Sequence, residues 1–177
     1  MITLHSDRLV LRLIDNNDLQ AIHELLSLPE TDRYNALGIP EHLRITQEIV
    51  GKWVIEHNSE NNDAYTFAID LESDRKFLGL ISIRLGKPKY RNAEIWFKLH
   101  LDSWGKGYAT EAVRQILKFG FNELKLHRIE AGCAVENLAS FKVLEKVGML
   151  LEGRKRQVLP LKTGWSDSFE FAILEKK

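Results

Sequence analysis

The chain has 177 residues, enough for one domain with a substantial core. Lys plus Arg and Asp plus Glu balance at 25 each, so no overall field favours nucleic acid or an acidic membrane surface as a partner. A single cysteine, Cys133, excludes an intramolecular disulfide and fits a reducing, cytoplasmic setting, and no apolar run approaches the roughly 20 residues of a membrane span.

The opening MITLHSDRLV carries charges where a signal peptide needs its apolar segment. Residues 9–14 read as a first strand. Asp15 or Asn16 then caps a helix whose apolar face is Leu19, Ile22, Leu25 and Leu26, with Pro29 ending it. Residues 29–45, with Pro29, Gly38 and Pro40, predict a loop holding at most a short helical turn. Thr46 is the expected cap of a second helix through Ile49, Val50, Trp53 and Val54, fading by Asn58. Asn61, Asn62 and Asp63 form a turn, and residues 65–71 and 77–85 an antiparallel hairpin closed by a polar connection.

Residues 93–124 organise the rest. Residues 93–101 are branched and aromatic and predict a buried strand. Apolar or small residues at Ala109, Ala112, Val113, Ile116, Leu117, Gly120, Phe121 and Leu124 mark one face of a helix of about four turns. Between strand and helix stands the turn Trp104-Gly105-Lys106-Gly107-Tyr108-Ala109-Thr110. The first N–H groups of a helix lack intrahelical acceptors and the dipole adds roughly half a positive charge, so this place suits a phosphorylated ligand. A bare Gly-x-Gly turn is also plain turn chemistry. The Walker spacing is absent, and Thr110 stands where a dinucleotide fingerprint needs its third glycine.

Residues 128–135 predict a further strand, so 93–135 form a strand–helix–strand unit whose two strands run parallel. Asn137 caps a short helix with Phe141, Val143, Leu144 and Val147 inward, ended by Gly148. Residues 149–155 and 168–174 are the last strand candidates, with 160–167 a loop between them. The expected architecture is one α/β domain over residues 1–177, a mixed sheet with helices on both faces.

The turn WGKGYATEA and the stretch HRIEAGCAVENLASFKVLEKVGMLLEG together resemble the GNAT N-acetyltransferases, and the opening TLHSDRLVLRLID is similar to their RimJ/RimL-like, ribosomal-protein alanine acetyltransferase branch. The resemblance covers nearly the whole chain. It implies a single-domain, mostly antiparallel sheet of about seven strands with a splayed parallel pair at the centre. Two positions depart from the family pattern. Trp104 replaces the first Gln or Arg of the pyrophosphate signature, as the RimJ/RimL-like branch tolerates. Leu144 stands where many members carry a general-acid tyrosine, which shifts that role to Ser140.

The reaction so implied is direct acetyl transfer from acetyl-CoA, as co-substrate, to a primary amine: a protein N-terminus or a small molecule. Cofactor-binding candidates are Trp104 and Gly105, the amides of Lys106, Gly107, Tyr108, Ala109 and Thr110 for the pyrophosphate, the backbone from Leu99 to Leu101 for pantetheine, and Asn137 and Ser140. Glu94 and Glu130, acids in or beside apolar strands, are the base candidates, each with the alternative of a charge-paired strand residue. Asn137 doubles as a helix cap, Ser140 as a first-turn serine, and Cys133 reads as a small buried apolar residue. His127 reads as structural and His100 as a cleft residue, while Tyr34 and Trp165 could wall the acceptor pocket. Lys87, Lys89, Arg91, Arg154, Lys155 and Arg156 read as solvated turn charges. No metal, nucleic acid or membrane is implied, and the expected state is a monomer or homodimer. A polyamine acetyltransferase and a non-catalytic acyl-CoA-binding module are the other readings.

Overall fold

The computed structural model describes residues 2–59 and 63–176. Of the turn expected at 61–63, Asn61 and Asn62 therefore lie outside the described residues. The elements are β1 (Thr3–His5), β2 (Leu9–Leu13), α1 (Leu19–Ser27), α2 (Pro29–Asp32), α3 (Leu43–Asn58), β3 (Ala64–Leu71), β4 (Phe77–Leu85), β5 (Asn92–Leu99), α4 (Tyr108–Asn122), β6 (Arg128–Ala134), α5 (Leu138–Lys146), β7 (Leu150–Leu161) and β8 (Gly164–Leu174). All eight strands join one sheet in the order β1-β2-β3-β4-β5-β6-β8-β7. Every neighbouring pair is antiparallel except β5–β6, the parallel pair expected from the strand–helix–strand unit.

The alternation of strand side chains divides the core in two. On one face Ala93, Ile95, Ile129, Ala131 and Phe171 pack against Val113, Ile116 and Phe119 of α4 and Leu144 of α5. Phe119 meets Tyr65 and Phe67 edge-on, with ring centroids 5.5 and 5.7 Å apart. On the other face Ala68 and Leu80 pack against Ile22, Leu25 and Leu26 of α1 and Val50 and Trp53 of α3, with Trp96 alongside.

One ion network locks α1 to the sheet. Arg12 on β2 donates through Nε to Asp70 on β3 at 2.7 Å and through both terminal nitrogens to Asp18, at 2.9 and 2.7 Å. Asp18 also accepts the Asp15 N–H, tying the entry turn of α1 to the same guanidinium.

Several expected boundaries move. Thr46 does not cap α3; the helix begins at Leu43, and Thr46 is buried inside it with its hydroxyl 2.7 Å from His23 Nδ1 of α1. Residues 29–32 form a four-residue helix with Pro29 in its first turn, where the missing N–H costs nothing. A short strand, β1, precedes the expected first one. The loop expected at 160–167 is instead the tip of a long hairpin: β7 and β8 pair out to Leu161 and Gly164. The pairing jumps between Lys155 and Leu159, where Gln157 takes φ +49°. β7 carries its charges outward along nearly its whole length, so backbone pairing rather than burial holds it and no apolar alternation announces it. As an edge strand it also tolerates Pro160.

Candidate active site

The two parallel strands at the centre part company almost at once. β5 and β6 pair only at Asn92–Arg128, Ala93–Ile129 and Glu94–Glu130, after which β5 runs on to Leu99 and β6 to Ala134. His100 donates its N–H to Leu78 and Gly86 donates to Asn92 at the two ends of the β4–β5 ladder, whose register holds throughout. Even-numbered residues of β5 thus spend their backbone groups on β4, and Ile95, Phe97 and Leu99 turn theirs into the opening beside β6. The result is a wedge with an unpaired strand edge on its β5 side. The Leu99 carbonyl accepts from Trp104 Nε1 at 2.9 Å, which fixes the half-exposed indole at the mouth. β5 ends at Leu99 and Leu101 opens a 3-10 turn, so the unpaired strand edge spans 95–99 and the backbone of His100 and Leu101 continues from it. Gly79 brings β4 close beneath this edge: a Cβ there would run into the Lys98 carbonyl and stand 2.7 Å from Leu99 Cα.

From Trp104, bonded to the end of β5, the chain turns through Gly105 and Gly107 into α4. Gly107 is its N-cap, at φ +81° and with no side chain to accept from the first-turn N–H groups. The amides of Tyr108, Ala109 and Thr110 therefore have neither an intrahelical nor a capping acceptor. Beside them lies a cavity of about 500 Å³ whose lining includes Arg8, Thr110, Arg114, Lys118 and Lys146. Glu111 lines it too but is neutralised: its carboxylate accepts from Ser6 Oγ at 2.7 Å, Arg8 N at 2.9 Å and Arg8 Nε at 2.7 Å. Burial works against the charged form, yet these bonds hold the Glu111 carboxyl below the usual range. Arg8 also donates to the Lys106 carbonyl at 3.1 Å and lies 4.7 Å over the Tyr108 ring, bracing the turn. Among the described residues Arg114, Lys118 and Lys146 pair with no carboxylate. An uncapped helix N-terminus beside a surplus of cations is built for a polyanion.

Residues 8–150 match the family described as acetyltransferase (GNAT) domain. The chain belongs to the GNAT acetyltransferase family. An uncharacterised N-acetyltransferase of Bacillus subtilis, YnaD, is 34% identical over 172 residues, covering 96% of this chain and 95% of its own. The crystal structure of a GNAT-family acetyltransferase from Bacillus anthracis shares 31% identity and a TM-score of 0.86, covering 99% and 100% of the two chains. RimL, the ribosomal L7/L12 α-N-protein acetyltransferase solved with coenzyme A, has a TM-score of 0.88 at 20% identity over 98% of each chain, a likeness of fold. The chain is thus an acetyl-CoA-dependent N-acetyltransferase with RimJ/RimL-like relatives.

In this GNAT chain the two base candidates differ in commitment. Glu130 accepts from Arg128 Nε at 2.5 Å, and Arg128 also pairs with Glu152. Glu94, opposite it in the parallel register, makes no ion pair among the described residues. It is exposed at the last paired position before β5 and β6 separate, and desolvation against the sheet and then the carboxylates of Glu170 and Glu130 raise its carboxyl above the usual range. As a base, Glu94 works only when deprotonated, so activity should fall as pH drops through this raised value. Glu94→Gln is expected to lower kcat by about 100-fold and to remove that acidic limb from the kcat pH profile.

Asn137 caps α5, its Oδ1 accepting from Ser140 N at 3.1 Å, so the two candidates share one helix start directly after β6. Asn137→Ala should lower stability by about 1 kcal/mol, read as a Tm fall of about 2–4 °C. Leu144, at the tyrosine position of many members, is fully buried in the core. Cys133 is buried as well, and burial pushes its thiol up to about 11, far from a thiolate nucleophile. Tyr34 lies beneath Arg33 at 5.3 Å, and Trp165 projects from the outer hairpin, two-thirds exposed. His127 opens β6 with its N–H on the Arg91 carbonyl, a structural place. Arg91 holds the Lys125 carbonyl and Glu175, Arg154 holds Asp167, and Lys155 holds Glu170. Among the described residues no group of three or more His, Cys, Asp or Glu could hold a metal, and no helix is long and apolar enough to cross a membrane.

Sequence reading missed the basic lining. Thr110, Arg114 and Lys118 are spaced i, i+4, i+8 and so form one stripe on the polar face of α4, a signal the residue spacing does carry.

Proposed function

We propose that the chain transfers an acetyl group from acetyl-CoA to a primary amine by direct attack on the thioester, with the donor lying in the wedge between β5 and β6. The observation that carries this is the conjunction of an unpaired β5 edge with an uncapped, cation-flanked start of α4. Acetyl-CoA supplies the activated acyl group and a thiolate leaving group. The amides of Lys106 to Thr110 hold its pyrophosphate, with Arg8, Arg114, Lys118 and Lys146 as counter-charges. The N–H and C=O groups of Ile95 and Phe97 and the N–H of Leu99 extend the strand onto pantetheine, and an N–H of that edge stabilises the developing oxyanion. Glu94, directly or through water, takes the proton of the attacking amine. With Leu144 in place of a tyrosine, the Ser140 hydroxyl at the start of α5 is the protic group for the departing thiolate.

The test is coenzyme A thiol release from acetyl-CoA across peptides with free N-termini, spermidine, aminoglycosides and free amino acids. Release with one amine class is the expected result. Silence across the panel while acetyl-CoA still raises Tm would point to a binding module instead. No stabilisation by acetyl-CoA would overturn the reading.

A further inference from the structure

Glu111 carries the wrong sign for its place. It stands in the first turn of α4, on the wall of the cavity beside the uncapped amides, where a carboxylate repels the phosphates those amides would hold. The helix dipole favours an acid there, but an acid pointing into solvent would serve the dipole as well. This side chain is only 17% exposed, and both its oxygens turn to a single neighbouring segment. Oε1 accepts from Ser6 Oγ at 2.7 Å and Arg8 N at 2.9 Å, while Oε2 takes Arg8 Nε at 2.7 Å and Nη2 at 2.6 Å. Residues 6–9 are themselves a closed turn, with Ser6 N on the Leu9 carbonyl at 2.9 Å and Leu9 N on Ser6 Oγ at 3.1 Å. One carboxylate therefore grips Arg8 at both ends, backbone and guanidinium.

That grip decides where the guanidinium sits. With Nε and Nη2 on Glu111, Nη1 reaches the Lys106 carbonyl at 3.1 Å, and the group lies 4.7 Å over the Tyr108 ring. Nη2 is also 3.4 Å from where a Cβ on Gly107 would stand. Residues 106 to 108 of the phosphate turn thus all lie against one cation, supplied from 98 positions earlier in the chain. Nη1 and Nη2 each carry a second N–H beyond these bonds, and Arg8 lines the cavity. A free arginine loses rotamer freedom when it closes on an anion, whereas here that loss is taken on folding.

We propose that Glu111 is a positioning residue for the pyrophosphate of the acetyl donor: acting through Arg8, it fixes the guanidinium against the turn and so strengthens binding of an anion despite its own negative charge. This deepens the acetyl-CoA reading and rests on it.

Titration calorimetry with acetyl-CoA separates positioning from charge, because the two carry opposite expectations. Charge alone predicts tighter binding in Glu111→Gln, whereas positioning predicts binding about 10-fold weaker. Glutamine keeps an acceptor for Ser6 Oγ and Arg8 N but sets an amide N–H against Arg8 Nε, releasing the guanidinium while the turn stays docked. In an Arg8→Met background the same change should no longer weaken binding and should tighten it slightly, since only repulsion remains to be removed. Arg8→Lys keeps the charge but not the fork that spans Glu111 and the Lys106 carbonyl, and should also bind about 10-fold more weakly. Arg8 is half-exposed, so Arg8→Lys should fold and decides the matter should Glu111→Gln fail to. Equal or tighter binding in Glu111→Gln, wild-type affinity in Arg8→Lys, or the same loss from Glu111→Gln in both backgrounds overturns the proposal while leaving acetyl-CoA binding standing. Should the wild type bind no acetyl-CoA, the donor reading itself fails and inorganic pyrophosphate becomes the probe. Weaker pyrophosphate binding in Glu111→Gln than in the wild type then supports the positioning role, and equal, tighter or no binding refutes it.

Discussion

Gly107→Val should weaken acetyl-CoA binding by about 100-fold or more, about 2.7 kcal/mol or more, in titration calorimetry. Two effects combine at this position. The residue sits at φ +81°, a conformation that costs a β-branched side chain about 1–2 kcal/mol or more. A Cβ there would also stand 3.4 Å from the Arg8 guanidinium, which braces the turn through the Lys106 carbonyl. The added methyl groups would therefore crowd the first N–H groups of α4 and unseat one of the cations beside them. The stability loss is separable, because thermal unfolding without ligand reports the strain alone. Affinity unchanged in a folded Gly107→Val protein would remove the start of α4 from the binding site.

The largest effect on stability should follow removal of Arg12. Asp18 and Asp70 are 7% and 2% exposed, and Arg12 is the only cation bonded to either among the described residues. Arg12→Met leaves two buried carboxylates without their bonded cation, at a cost of about 3–5 kcal/mol and a Tm lower by about 10 °C. The pH dependence has a definite sign. Burial already raises the Asp70 carboxyl, and Arg12 is the main influence holding it down, so the variant should bind protons on Asp70 more readily. Its deficit should therefore shrink as pH falls and the freed carboxyls become neutral. Adding Asp70→Asn to Arg12→Met should recover part of the loss, whereas Asp70→Asn alone should be mildly destabilising. Full stability in Arg12→Met, read by denaturant unfolding, would mean the network does not fasten α1.

The parts of the fold that sequence revealed are those where burial and pattern coincide. Val113, Ile116 and Gly120 of α4 recur at helical spacing because one face of that helix meets the sheet, and the hairpin of β3 and β4 is nearly all buried. The strand–helix–strand order likewise gave the parallel pairing of β5 with β6. What pattern could not supply was structure held by pairing alone, as in β7, or by contacts between distant segments, as with Thr46 on His23. The turn at Gly105 and Gly107 was legible as an anion site because its chemistry is local, backbone donors at one helix start. The counter-charges are not local: Arg8 comes from the β1–β2 turn and Lys146 from the end of α5.

The central claim is that acetyl-CoA occupies the β5–β6 wedge with its pyrophosphate at the start of α4. Titrating acetyl-CoA into isotope-labelled protein and following each backbone amide by NMR tests it directly. The predicted result is that the large shifts fall on Ile95, Phe97 and Leu99 and on the amides from Gly105 to Glu111, saturating together at one equivalent. Large shifts confined to another part of the molecule, or none at millimolar ligand, would contradict it.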